Sequence, residues 1–444
     1  MSGPAATIFG IDPFWLSSAL LFITYSVLVV DRLNRSIVAL LGGGLMIACG
    51  LVDQNQAIAG QDFNTLALLI GMMLLVAIAR PSGMFQYLAF WSVRRARGRP
   101  DLLLALLGLV TAVVSAFLDN VTTVLLIVPV TLVIAGELRL DPYPFLFSEA
   151  FTSNIGGTAT LIGDPPNILI GSATGLSFNQ FVFHLTPVIA VVLLVQLFIG
   201  HLLWGRRMRI DPAAQARVLA FKPGDAIADR SLLVKSLIVL ALTILGFVAG
   251  DRLGFRPGSV ALAGAAILLL LDNWHRPNEE QSRSIHAIFG EVEWITIFFF
   301  VGLFVVVAGV EHAGVLDWLA RVILQTTGGE RAPAVTLILW ASALLSAVID
   351  NIPFVATMIP VIKSMGPSLG GDSALQPIWW ALSLGACLGG NGTLIGASAN
   401  LTVAGIAERN GIPFGFMTFL KFAFPMMLVS IAIAMLYIYL RYLL

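Results

Sequence analysis

The chain has 444 residues, 58% apolar and 11% charged, where ordinary soluble domains run ~45–50% and ~25%. With 25 basic and 25 acidic residues and a mean hydropathy of +0.92, a soluble globule and a nucleic-acid binder are both excluded. Repeated apolar runs of roughly 16 to 20 residues indicate a helical protein that crosses the lipid bilayer many times, here placed in the plasma (inner) membrane.

The first fourteen residues carry only Asp12, so neither a cleavable signal peptide nor a basic presequence is expected. Spans are predicted near 14–30, 36–52 and 63–79, followed by an amphipathic stretch at 84–97. Apolar segments follow at 101–137 and 144–177, then a span at 180–204. The polar stretch 205–230, with Arg206, Arg207, Arg209, Arg217, Lys222 and Arg230, reads as a cytoplasmic linker. Beyond it come spans near 231–249, 258–272 and 294–310, a short stretch 313–325, segments 333–364 and 376–407, and a span at 414–440. Cys49 and Cys387 both lie in apolar runs and form no disulfide framework.

The second set of elements repeats the first. Ser115-Ala-Phe-Leu-Asp119-Asn120, with Pro129 beyond, returns as Ser346-Ala-Val-Ile-Asp350-Asn351 with Pro360. Gly71 and Gly83 map onto Gly302 and Gly314 at the same offset. Gly156-Gly157-x-x-Thr160-Leu161-Ile162-Gly163-x-x-x-Asn167 returns as Gly389-Gly390-x-x-Thr393-Leu394-Ile395-Gly396-x-x-x-Asn400, and Asp31-Arg32-Leu33 returns as Asp251-Arg252-Leu253. Anchors in one order with slowly drifting offsets imply duplication.

Charge sets the orientation. Segment 80–99 carries Arg80, Arg94, Arg95, Arg97 and Arg99 and no acid, whereas its partner 311–331 has three acids against two arginines. Basic short loops stay in the cytoplasm, so equivalent loops lie on opposite faces. The expected fold is all-α and polytopic: two inverted-topology repeats, 1–204 and 231–444, joined by linker 205–230. Each holds a re-entrant helical hairpin (101–137 and 333–364) and a discontinuous helix (144–177 and 376–407), giving about ten full spans plus two hairpins.

Two constellations carry the chemistry. Apolar arms flank Asp119-Asn120 and Asp350-Asn351 with no room for a solvated loop, so these pairs sit at hairpin tips deep in the membrane. An ionisable group at that depth is a functional-site candidate. The Gly-rich strings interrupt helix, and Pro165-Pro166 removes two backbone donors. Unwound backbone within a bilayer is tolerated where it is buried in protein or lines a cavity, and its freed carbonyls and half-helix N-termini can take an ion or a polar solute. Candidate ligands are therefore Asp119, Asn120, Asn154, Gly156, Gly157, Thr158, Thr160, Asp164 and Asn167 in the first half. In the second they are Asp350, Asn351, Asn391, Thr393, Ser398 and Asn400.

Neither Gly-rich string continues into the Lys-Ser/Thr pair of a phosphate loop, so no nucleotide cofactor is expected. The five histidines lack metal-ligand spacing, and no catalytic set is recognisable, which argues against an enzyme and against a resident metal. His184 reads as a core or interfacial residue, and Gly83–Arg97 as an interfacial helix.

The hairpin-tip Ser-Ala-x-x-Asp-Asn pairs, with Gly-Gly-Thr-Ala-Thr-Leu-Ile-Gly-Asp-Pro-Pro-Asn after the first, resemble the ion transporter superfamily. That group contains arsenite efflux permeases, sodium/proton antiporters, the P protein and sodium-coupled citrate and dicarboxylate carriers. The Gly-Asp-Pro-Pro-Asn string is most similar to the arsenite permease and P protein branch. In dicarboxylate carriers the tips read Ser-Asn-Thr; here Asp119 and Asp350 replace the serine, and Val121 and Ile352 the threonine. The resemblance implies a homodimer in which an elevator-like transport domain carries the hairpins and broken helices, driven by protons or membrane potential.

The expected function is proton-coupled efflux of arsenite or antimonite, with a cation/proton antiporter and a citrate or dicarboxylate carrier as alternatives. Trivalent arsenic at neutral pH is an uncharged trihydroxide, suited to hydroxyl and amide groups at Asn120, Thr160, Asn351 and Thr393. Only Cys387 stands near the predicted site, so a three-thiolate cage is not expected. A soluble ATPase partner is neither required nor excluded by these residues.

Overall fold

The computed structural model describes residues 10–30, 32–210 and 223–444. Arg217 and Lys222 of the linker, and Asp31 of the Asp-Arg-Leu anchor, lie outside the described residues. Among those described, regular structure is helical throughout.

Ten helices precede the linker: α1 (Pro13–Val30), α2 (Arg35–Ala48), α3 (Gln54–Ala59), α4 (Phe63–Ala79), α5 (Met84–Ala96), α6 (Pro100–Ser115), α7 (Asn120–Leu138), α8 (Tyr143–Thr158), α9 (Pro165–Thr174) and α10 (Phe178–Leu203). Ten follow it in the same order of long and short: α11 (Arg230–Leu253), α12 (Pro257–Asn273), α13 (Asn278–Gly290), α14 (Trp294–His312), α15 (Val315–Thr326), α16 (Arg331–Ser346), α17 (Asn351–Leu369), α18 (Asp372–Gly389), α19 (Ser398–Arg409) and α20 (Phe416–Ile438). The hairpins are α6–α7 and α16–α17, and the broken helices are α8–α9 and α18–α19.

Eight helices among the described residues are long and apolar enough to cross a membrane. Two of these, α7 and α17, are hairpin arms. The remaining six, with the shorter α2 and α12 and the two broken helices, make up the ten spans. At 14 residues, α2 rises only ~21 Å, less than a ~30 Å hydrocarbon core. Its neighbours compensate. α2 crosses α14, and α12 crosses α4, each at one of the repeated glycines. A Cβ on Gly302 would lie 2.3 Å from the Ala39 carbonyl carbon, and one on Gly71 would lie 2.6 Å from that of Ala261. The halves therefore interlock: each short span of one half packs on a long span of the other.

α6 packs on α8, and α16 on α18, around a second pair of glycines. A Cβ on Gly156 would stand 2.0 Å from the Ala112 oxygen, and one on Gly389 would stand 2.5 Å from the Ala343 oxygen. Backbone contact of this kind is how membrane helices associate where lipid supplies no hydrophobic drive. Large apolar side chains such as Phe22, Leu194, Leu242 and Leu245 stay exposed on the outer faces, as lipid contact requires.

Candidate functional site

Four helix N-termini meet in the middle of the fold. Asp119 caps α7, its carboxylate accepting from the Thr122 backbone N–H at 2.9 Å and from the Thr122 hydroxyl. Asp350 caps α17, accepting from the Ile352 N–H at 3.0 Å. The other two termini belong to the broken helices. α9 follows Asp164 and α19 follows Ala397, with nearly the same extended backbone at both positions and no side-chain cap at either. Residues of all four ends line one chamber of about 20 Å³, room for a single water-sized particle.

An amide network crosses the chamber between the halves. The Asn120 amide donates to Asn154 at 2.8 Å and to Asp164 at 3.2 Å. Asn154 in turn donates to Asn391 at 2.8 Å and to Asn400 at 3.0 Å. From the opposite hairpin, Asn351 reaches the same Asp164 oxygen at 3.5 Å. The other oxygen of Asp164, Oδ2, is buried without a protein partner among the described residues. Asp164 lines the chamber with the Cys387 thiol beside its carboxyl group, an arrangement suited to a proton, a cation or a solute hydroxyl.

A larger cavity of about 260 Å³, lined by Asp350, Ser398 and Phe299, adjoins the chamber. The two share Arg35, Val121, Glu293 and Ser398 as walls. Arg35 hydrogen-bonds Ser398 and, at 2.8 Å, Thr296. It pairs with Asp350 at 3.8 Å and with Glu293 at 4.0 Å. Neither Arg35 nor Glu293 was among the residues expected from sequence. The available signal was a base opening an apolar run at Asn34-Arg35-Ser36.

Of the expected ligands, Asp119, Asn120, Asp164, Asn351 and Ser398 line the chamber, and Asp350 lines the adjoining cavity. Others turn away from it. The Thr160 and Thr393 hydroxyls donate to the hairpin carbonyls of Ala116 and Ala347, each at 2.5 Å. Thr158 donates to the Asn154 carbonyl at 2.6 Å. Asn167 and Asn400 use their amides to bridge the broken-helix breaks, from Asn167 to the Thr158 and Thr160 carbonyls and from Asn400 to those of Gly390 and Thr393. Gly156 and Gly157 are occupied by close backbone packing. For these side chains the unwound segment needs internal partners first, because unpaired polar groups are costly in a bilayer. Cys387 is buried and lines neither cavity; its thiol donates to Asn167 Oδ1 at 3.7 Å and lies beside Asp164. His184 lies elsewhere, stacked on Trp380 with ring centroids 5.0 Å apart.

Crossing helices, paired hairpins, two broken helices and a polar chamber at their convergence are the architecture of a multi-pass membrane protein, and the proteins it is similar to are transporters. The family model described as citrate transporter matches residues 25–385, and the chain belongs to that family, within the ion transporter superfamily. It is 43% identical to an uncharacterized transporter of Mycobacterium tuberculosis, over 94% of this chain and 96% of that one. It is 36% identical to the human P protein over 95% of this chain, which spans 59% of that longer protein. Among solved structures it resembles the YdaH transporter of Alcanivorax borkumensis, with a TM-score of 0.60 at 15% identity, covering 96% of this chain and 98% of that one. MtrF of Neisseria gonorrhoeae, described among antimetabolite efflux pumps, gives 0.57 at 14% identity over 98% and 96%. These last two likenesses concern the fold.

Proposed function

We propose that the chain exports a small neutral polyhydroxyl solute, arsenous acid or its antimony analogue. In this reading protons or sodium are the coupling ion, and a homodimer works by elevator-type alternating access. The observation behind the solute class is charge. Asp119, Asp164, Asp350 and Glu293 surround the hairpin tips, and among the described residues Arg35 is the only base lining either cavity. At an effective dielectric of ~20, one like-charge pair at ~4 Å costs ~4 kcal/mol. Helix N-termini return only ~0.3–2 kcal/mol each, and those of α7 and α17 are already capped by carboxylates. Arg35 is shared between Asp350 and Glu293. For a dianion the repulsion wins; a neutral trihydroxide escapes it, and a cation gains from it. A single cysteine buried beside Asp164, with none among the cavity linings, suits weak, reversible binding rather than a thiolate trap.

A citrate carrier is the second reading, favoured by the family match and by Arg35 beside the larger cavity. Purified protein in liposomes, tested with arsenite, sodium and citrate in parallel, separates the two. Saturable arsenite flux that responds to pH or sodium, with no citrate flux, is the expected result. Saturable citrate uptake at neutral pH without any response to arsenite would overturn the ordering.

A further inference from the structure

Besides Asp119 and Asp164, a third buried acid stands apart from the hairpin tips and the helix breaks. Glu149, in the middle of α8, is fully buried. Its Oε1 accepts from the Thr131 hydroxyl of α7 at 2.5 Å, and Oε2 has no partner among the described residues. The elements packed on α8 offer it no counter-charge. α6 carries only Asp101 in its first turn, and α7 only Glu137 in its last. α18 has Asp372 at its start, α19 ends in Glu408-Arg409, and α10 holds His184 and His201; α20, whose Phe419 packs on Phe147 of α8, carries Lys421, which is exposed and sits over the Phe422 ring. None of these is bonded to Glu149. A lone ionised carboxylate at such depth costs several kcal/mol, so the position calls for a proton.

The other half shows that packing does not need an acid here. At the repeat offsets Glu149 falls on Leu382 and Thr131 on Ile362, both fully buried in the corresponding pair of helices, α18 and α17. Thr123 and Thr152 fall on Phe354 and Gly385. Both threonine hydroxyls are buried and unpartnered among the described residues. Thr152 lies one turn from Glu149 in the direction of Asn154, and Thr123 one turn from Asn120, each within the i, i+3 spacing of a helix face. Polar groups thus mark the α7–α8 pair from the amide network down to Glu149 in the first half, and apolar groups replace them in the second.

We infer that Glu149 is a proton-binding site distinct from the hairpin-tip aspartates, taking up and releasing one proton along the α7–α8 seam during transport. This rests on the proton-coupled reading above and gives the proton a seat away from the solute. The test is infrared difference spectroscopy on the liposome-reconstituted protein while bulk pH is stepped across neutrality. A pH-sensitive carboxylic-acid carbonyl component is expected, lost in Glu149→Gln and retained in Asp119→Asn, Asp164→Asn and Asp350→Asn. Glu149→Leu, which copies Leu382, should fold like the parent and also lack the band. In the flux arm, with arsenite as probe, the pH response should fall at least tenfold in both Glu149 variants. A difference spectrum unchanged in Glu149→Gln, or a Glu149 component indifferent to pH, would overturn the inference. Loss of all pH response in the aspartate variants with none in Glu149→Gln would also do so, leaving the hairpin-tip reading intact. Absence of arsenite flux in the parent would defeat that reading alone, because the infrared arm needs no solute. Should Glu149→Gln fail to fold, Thr131→Val serves in its place, and an unmoved band there counts against the site.

Discussion

The two halves of the molecule use the same joints and different linings. Ser115 donates to the Ser153 carbonyl at 2.7 Å, and its equivalent Ser346 donates to the Ala386 carbonyl at 2.7 Å. Thr160 and Thr393 tie the hairpins to the broken helices at matching lengths. The chemistry around these joints has diverged: Asp164 stands where the second half has Ala397, and among the described residues Arg35 pairs with Asp350 and not with its equivalent Asp119. The two halves therefore share a symmetric frame of backbone-directed contacts. Function rests on the side chains that break the symmetry.

The largest effects should come from the shared frame and be equal in both halves. Gly156→Ala and Gly389→Ala each drive a methyl into backbone of the facing helix, which cannot move aside as a flexible side chain would. Overpacking costs ~1–3 kcal/mol where side chains can adjust, so about 3 kcal/mol or more is expected for each. Thermal unfolding in detergent should show both variants strongly destabilised. One tolerated and one ruinous glycine would break the equivalence of the α6–α8 and α16–α18 contacts.

Next in size is the asymmetric position. Asp164→Ala gives the first half the side chain that its partner already has at Ala397. The backbone before α9 matches that before α19, so the variant should fold. Its response to protons or sodium should fall about tenfold or more, equivalent to ~1.4 kcal/mol of lost ion interaction. Ion-dependence of flux and sodium binding by calorimetry both read this. Undiminished coupling would remove Asp164 from the ion site and make the asymmetry incidental.

Much of this frame was legible in the sequence, because glycines, prolines and capping aspartates act locally and recur. Asp119 and Asp350 announce helix starts by type, and Pro165-Pro166 forbids continuous helix. What a side chain faces is a different question. Arg35 meets Asp350 across more than three hundred residues of chain, and no local pattern records that meeting. Thr160 and Thr393 read as ligands because hydroxyls near an unwound segment can serve a solute or the segment itself. Only the fold shows that their partners are Ala116 and Ala347. Short α2 similarly reads as an ordinary span until its crossing with α14 is seen.

The smallest predicted effect is the sharpest test of symmetry. Ser115→Ala and Ser346→Ala each remove one buried hydroxyl donor and leave a carbonyl of the neighbouring helix short of a partner. A neutral hydrogen bond contributes ~0.5–1.5 kcal/mol, and the two distances are the same, so the losses should agree within a few tenths of a kcal/mol. The accepting carbonyls, those of Ser153 and Ala386, keep their places in helical backbone and retain part of their hydrogen bonding, which holds the cost near the lower end. Neither serine lines the chamber, so the solute response should be unchanged in both. The double variant should lose the sum, because the joints belong to separate hairpins and share no partner. A double variant far worse than the sum would mean that the two hairpins support each other through the Asn154–Asn391 bridge, and that the halves act as one unit.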